Sequence, residues 1–354
     1  MSLEKCESAA TLSEIHNQAK SCLVAVQRAE ARFEIFDRLL PLEQYTDIIL
    51  TGCGSSYNLA KCASLAWTGI LRRPIRAVAS SELMFYPELY LERHARPLVV
   101  AISRTGGTTE VQLAVERTRS AYGARALAVT VQPDSAVGTV CDAELAFTEC
   151  YEESIVMTQA FTCMLTGLYL VADGAAGWRH KNEISLIPGL IAASLETSEE
   201  VVRRIAEDQG ITDFFFLGSG AMKGLADECA LKLTEMALSR ALGHRSLEFR
   251  HGPKAALDER SQVIVFPVAA EHPYLETLLA ELYATGAKTL VVSAASNKST
   301  KNSCAIVLGQ DLPELFRPAL YAHVGQLLAF WRAISRGIDP HSPRHLDRTV
   351  LLDL

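Results

Sequence analysis

The sequence predicts an α/β fold: two doubly wound parallel sheets in tandem, each flanked by helices. Two observations carry this. Short β-branched runs alternate with longer helical stretches along nearly the whole 354-residue chain. Continuous apolar strands of that kind belong to parallel sheets buried on both faces, and right-handed crossovers wind them into layers. The second observation is a repeat. Asp47-Ile-Ile-Leu-Thr-Gly-Cys-Gly-Ser-Ser-Tyr returns as Asp213-Phe-Phe-Phe-Leu-Gly-Ser-Gly-Ala-Met-Lys, with Gly52 matching Gly218 at an offset of 166.

Taken in order, residues 1–30 read as a helical segment packed outside the first sheet. The first domain spans 31–180, with a strand ending near Thr51, another over Leu98–Ile102 and a third at Arg125-Ala-Leu-Ala-Val-Thr. A charged linking helix covers 181–208, and the second domain covers 209–340. At the offset of 166, Ser80 falls on Ser246, Glu82 on Glu248 and Leu98-Val-Val on Ile264-Val-Phe, while Arg125 matches Lys288 at 163. Residues 341–354 form a tail expected to contribute to the site.

Composition narrows the class. At 49% apolar, 21% charged and a net charge of −7, the chain is a folded acidic protein without the basic surface that nucleic acid requires, so no nucleic acid is expected as partner. No run approaches the roughly 18 apolar residues that span a bilayer, and Met1-Ser-Leu-Glu-Lys-Cys lacks a signal core, so no membrane association is expected. Nine scattered cysteines with no CxxC pair suggest neither disulfides nor zinc. A cytoplasmic location and no metal are the expectations.

Ligands of open α/β sheets sit beyond the carboxyl ends of the strands. Gly52-Cys-Gly54-Ser55-Ser56 lies at such a place, where a helix opens with unpaired N–H groups, an anion site in outline. Ser103-Arg104-Thr105-Gly106-Gly107-Thr108-Thr109 follows the next strand and brings four hydroxyls, two glycines and an arginine to one turn. Such donors suit phosphate oxygens, but the same residues favour a plain N-capped turn, and the loop alone leaves both readings open. Glu152-Glu-Ser-Ile-Val-Met-Thr158 reads as a polar entry to a buried helix. Neither Gly-x-Gly turn completes a dinucleotide fingerprint and no Walker motif is present, so no cofactor is expected.

In the second half, Glu228, Lys232 and Glu235 are spaced i, i+4, i+7 and line one helical face. A solvated ion-paired face is the ordinary meaning of that spacing, but flanking Ala and Leu narrow the stripe as if it faced a cleft. His251, in Glu248-Phe-Arg-His-Gly-Pro253, sits on an irregular segment. A carboxylate and a histidine together supply what proton transfer between sugar carbons 1 and 2 requires, a base for carbon and an acid/base for ring opening.

The chain resembles the double-SIS (sugar isomerase) proteins. It is similar to the isomerase half of glucosamine-6-phosphate synthase, and closer to stand-alone tagatose-6-phosphate ketose/aldose isomerases and aminosugar-phosphate deaminases. The resemblance runs from about residue 30 to the end, through Gly52-Cys-Gly-Ser-Ser56-Tyr, Ile102-Ser-Arg-Thr-Gly-Gly-Thr108, Met157-Thr-Gln-Ala-Phe-Thr162, Glu228-Cys-Ala-Leu-Lys232-Leu-Thr-Glu235, Phe249-Arg-His-Gly-Pro253 and Pro343-Arg-His-Leu. It implies two tandem SIS domains and phosphate contacts from Ser56, Ser103, Arg104, Thr105 and Thr108, with Gly54 and Ser55 beside them. Glu235 would move the proton, Lys232 assist, Ile155 line the sugar pocket by its backbone, and His251 open the ring from a neighbouring subunit. A homodimer with shared active sites follows from that last role.

Two departures shape the expected activity. The chain opens Met-Ser-Leu-Glu with no nucleophilic cysteine beside the initiator, so synthesis from glutamine is not expected. Arg348 stands where the synthases carry an imine-forming lysine, and a permanently protonated guanidinium cannot form an imine. The expected function is proton transfer on an amino- or keto-hexose 6-phosphate, deaminating or isomerising an aminosugar phosphate. A fructosamine-phosphate deglycase and a non-catalytic sugar-phosphate sensor are the alternatives.

Overall fold

The computed structural model describes residues 8–295 and 303–352. The described residues open with α1 (Ser8–Gln27) and α2 (Ala29–Asp37), then β1 (Asp47–Gly52), α3 (Ser55–Leu71), β2 (Arg76–Ala79) and α4 (Ser80–Phe85). β3 (Pro97–Ile102), α5 (Thr109–Tyr122), β4 (Arg125–Thr130), α6 (Ala136–Thr139), β5 (Ala143–Ala146) and α7 (Gln159–Ala175) follow. Next come α8 (Lys181–Ile184), α9 (Ile187–Glu207), β6 (Asp213–Gly218), α10 (Ala221–Ala237), β7 (Arg240–His244) and β8 (Ser261–Phe266). The last elements are α11 (His272–Ala284), β9 (Lys288–Ser293), β10 (Ser303–Val307) and α12 (Arg317–Ser335).

The chain divides into two compact units, each with one sheet. One comprises Gln18–Ser185 together with the tail from His345, the other the chain up to Asn17 together with Leu186–Arg344. The division passes through α1, places α9 with the second sheet and returns the tail to the first.

In the first-sheet unit the strand order is β2-β1-β3-β4-β5, all parallel. On one face Val99, Ala101, Ala126 and Ala128 pack under Val111 and Val115 of α5, beside a cluster of Ile49, Val78 and Leu83. The intervening residues Leu98, Val100 and Ile102 are buried as well, so both faces are covered. α3 packs on α7, where the Trp67 indole N–H donates to the Leu168 carbonyl at 2.9 Å.

The second-sheet unit repeats the order as β7-β6-β8-β9-β10, again parallel. Phe215, Leu217, Val263 and Val265 pack under Leu275, Leu278 and Leu282 of α11. α12 holds α9 through His323 Nε2 to Ser198 Oγ (3.1 Å) and Trp331 Nε1 to Glu199 Oε1 (2.9 Å).

Strand register corrects one sequence correspondence. Thr51 pairs with Val78 and Ala101, Leu217 with His244 and Val265, so the offset is 166 at β7 but 164 at β8. Val100, not Leu98, therefore corresponds to Ile264. An apolar run can slide by two residues without changing the face it buries, so hydrophobic matching alone does not resolve that step. Among the described residues no helix is long and apolar enough to cross a membrane.

Candidate active site

In the first-sheet unit β1 and β3 are neighbours at the point where strand order reverses, and the turns after both lie in the crevice there. The turn after β1 depends on its glycines. A Cβ on Gly52 would come within 2.7 Å of the Ser56 carbonyl carbon, and Gly54 has φ +53°, ψ −124°, a conformation L-residues rarely adopt. α3 starts directly after it at half-buried Ser55 and buried Ser56. The twin turn before α10 is built the same way, with Gly220 at φ +55°, ψ −133° and Gly218 facing the Met222 carbonyl.

The hydroxyl loop follows β3. Ser103, buried, has its Oγ 3.0 Å from Thr108 Oγ1 and accepts from the Gly106 N–H at 3.1 Å. Thr108 occupies the N-cap of α5, yet its side chain makes no capping bond. The plain N-cap reading therefore fails for this residue: its hydroxyl faces Ser103 inside the loop. Thr105 Oγ1 accepts from the Gly107 N–H (3.3 Å) and from Thr349 Oγ1 of the tail (3.0 Å).

Arg104 points its bonds elsewhere. Its Nη1 donates to Glu152 Oε2 (3.1 Å) and to the carbonyls of Ser154 (3.2 Å) and Val156 (2.9 Å), its Nη2 to the Ile155 carbonyl (2.6 Å). Glu152, missed as a site residue from sequence, is fully buried. Its Oε1 accepts from the Thr158 N–H (2.6 Å), the Thr158 hydroxyl (2.8 Å) and the Ala160 N–H (3.2 Å), satisfying the start of α7. Arg348 grips the same segment from the tail, donating to the carbonyls of Glu152 and of Glu153 (3.4 Å), with its guanidinium 4.8 Å from the Tyr151 ring centre. Ile155 is thus fixed through its own carbonyl and both neighbours'.

In the second-sheet unit, α10 carries the carboxylate stripe as spaced. The Lys232 ammonium lies 2.5 Å from Glu235 Oε2 and 3.5 Å from Glu228 Oε1. Lys232 is 1% and Glu228 2% exposed at the side chain, whereas Glu235 is 19% exposed. A buried ammonium between two carboxylates, one reaching solvent, is not a solvated surface pair.

His251 is exposed on the turn after a short 3₁₀ segment, Glu248–Arg250. The residues around it are pinned to α11: Arg250 and Lys254 both hold Glu281, at 2.6 and 2.7 Å, and Arg250 then Lys254 pull that carboxyl down to about 2. The His251 imidazole makes no hydrogen bond among the described residues. The loop after β8, Pro267-Val-Ala-Ala-Glu271, carries no hydroxyl, and Glu271 accepts from Ser219 of the glycine turn. Of the sequence-derived residues, Gly54, Ser55, Ser56, Ser103, Arg104, Thr105, Thr108, Ile155 and Arg348 lie in the first-sheet unit, and Lys232, Glu235 and His251 in the second.

Known proteins resemble this chain along most of its length. The SIS domain model matches residues 42–172. Glutamine–fructose-6-phosphate aminotransferase (isomerizing) of Pyrobaculum aerophilum is 32% identical over 320 residues, 87% of this chain and 52% of that protein. Its Brucella abortus counterpart is 28% identical over 321 residues. The chain spans about half the length of these curated relatives. Among solved structures, glucosamine-6-phosphate deaminase from Thermotoga maritima is 32% identical, covers 97% of this chain and 100% of its own, and superposes with a TM-score of 0.80. Tagatose-6-phosphate ketose/aldose isomerase from Escherichia coli shares the fold at 22% identity, TM-score 0.85 and 94% coverage of each chain. The chain belongs to the SIS-domain phosphosugar isomerase family.

Proposed function

We propose that this protein moves a proton between carbons 1 and 2 of an amino- or keto-hexose 6-phosphate, and that with an aminosugar it releases ammonia. The observation that carries this is the α10 stripe, where buried Lys232 holds the half-open Glu235 carboxylate at 2.5 Å. A carboxylate fixed in orientation yet reaching solvent is what a carbon base needs. Similarity to the Thermotoga deaminase along the whole chain supports the aminosugar over the neutral sugar.

In this reading the second-sheet unit is a second SIS copy, supported by its identical strand order and twin glycine turn. Only the first copy keeps the hydroxyl loop, so each chain binds one phosphate. Ser56, Ser103, Thr105 and Thr108 with the N-termini of α3 and α5 anchor it, converting remote binding into orientation of the reacting carbons. His251, supplied by a second copy in a homodimer, opens the ring. Glu235 takes the carbon-2 proton and returns it to carbon 1. The resulting carbon-2 imine is hydrolysed by water to a ketose phosphate and ammonia; with a hydroxyl at carbon 2 the outcome is aldose–ketose exchange. Arg348 holds the 152–153 carbonyls and forms no imine.

Ammonia and ketose phosphate measured together after addition of glucosamine-6-phosphate or galactosamine-6-phosphate test the proposal. Stoichiometric release of both products from either sugar is the expected result. Aldose–ketose interconversion of a neutral hexose phosphate without ammonia would confine the enzyme to isomerisation, and no reaction with any of these would refute the reading.

A further inference from the structure

Arg104 sits in the sequence between two hydroxyl residues of the phosphate loop, yet no loop oxygen is among its acceptors. Its four bonds all run to the 152–156 segment: the Glu152 carboxylate and the carbonyls of Ser154, Ile155 and Val156. The charge is answered there too, because Glu152 is a carboxylate with no exposed side-chain surface at 3.1 Å, and the Arg104 side chain is itself 10% exposed. A guanidinium paired in this way offers a phosphate little net charge. Glu152 in turn accepts from the amides of Thr158, the N-cap of α7, and of Ala160 in its first turn, so the phosphate loop, the 152–156 segment and the α7 start are joined through one ion pair.

We propose that Arg104 is a positioning residue of the sugar pocket, acting through Glu152 and the Ile155 backbone, and is not a ligand of the phosphate. Ser103 and Thr105 on either side of it hold the phosphate; Arg104 transmits that placement to the wall against which the sugar carbons lie. Arg348 grips the same wall at Glu152 and Glu153 from the tail, so two arginines fix five consecutive residues from opposite ends. The inference rests on the functional reading above for what the wall touches, but not for how it is held.

Arg104→Met and Arg104→Lys test it, with inorganic phosphate as the binding probe. Calorimetric titration should give phosphate affinities within about 3-fold of wild type in both variants, since the loop hydroxyls are untouched. Turnover should fall about 100-fold with KM little changed, the loss expected when a positioned wall shifts by an ångström. Lysine should do no better than methionine, because a point charge cannot replace a planar fork bonded to four acceptors. Backbone hydrogen exchange across 152–160 should quicken in both.

A phosphate affinity weakened by about 10-fold or more with exchange unchanged would make Arg104 a phosphate ligand and overturn the proposal. Recovery of turnover in Arg104→Lys would overturn it as well, by reducing the residue to a charge. Where the methionine variant does not fold, the lysine variant carries the test. If the wild type turns over no sugar phosphate, the functional reading falls, and phosphate titration with hydrogen exchange decides the role of Arg104 by the same criteria.

Discussion

Replacing Lys232 by methionine removes the cation from between two carboxylates on α10. Glu228, 2% exposed at the side chain, then loses the ammonium 3.5 Å away, while Glu235 keeps partial access to water. The folded variant does best by protonating the buried Glu228. From an ordinary glutamate value of about 4.3, holding that proton at pH 7 costs ~1.4 kcal/mol for each of ~2.7 pH units, or ~4 kcal/mol. Measured losses on breaking one side of a buried ion pair, about 3–5 kcal/mol, bracket this figure. The sign follows: between pH 7 and 5 the folded variant binds one proton more than its unfolded chain, so its deficit against wild type shrinks as pH falls, to ~1 kcal/mol at pH 5. Urea unfolding at pH 7, 6 and 5 measures it. Adding Glu228→Gln should restore most of the stability but not the turnover. A deficit under about 1 kcal/mol at pH 7, or one independent of pH, would refute the reasoning.

Three further outcomes follow from the same geometry. Ser103→Ala removes the partner of Thr108 and, on the proposed reading, a phosphate donor, and should weaken inorganic phosphate by about 10–100-fold in calorimetry, the range for a hydrogen bond to a charged group. His323 is buried in α12, and burial pushes its imidazole down to about 4. The unfolded chain takes up that proton near pH 6.5, so stability holds above this value and is lost as pH falls, by ~3 kcal/mol at pH 4. Thermal melts of wild type and His323→Gln from pH 7 to 4.5 should diverge accordingly, the variant having the flatter profile. If His251 completes the site of a second copy, mixing inactive Glu235→Gln with inactive His251→Asn should restore about a quarter of wild-type activity, because half of the dimers then hold one intact site. No restoration would mean that both residues come from one chain.

The parts legible in the sequence were those with strict local demands. The glycine turns stood out because Gly52 admits no Cβ and Gly54 needs a positive φ, and the same demands recur at Gly218 and Gly220. The α10 stripe was legible because helical spacing alone puts Glu228, Lys232 and Glu235 on one face; that Glu228 and Lys232 are buried is a tertiary fact, which spacing does not carry. Glu152 was not legible as part of the site. It caps amides six and eight residues further on in an irregular segment, and no periodicity announces such a bond. Arg104 was read with the hydroxyls beside it, but the direction of a long side chain depends on acceptors 48 to 52 residues away. Thr349 over Thr105 was invisible for the same reason, at a separation of 244 residues.

On the proposed reading Glu235 moves the carbon-2 proton. Proton NMR in D2O with glucosamine-6-phosphate or galactosamine-6-phosphate tests it most directly. The carbon-2 proton signal of one of these sugars should disappear as ammonia accumulates, and Glu235→Gln should still bind that sugar but leave its signal intact. Exchange at carbon 2 that continues undiminished in Glu235→Gln would contradict it.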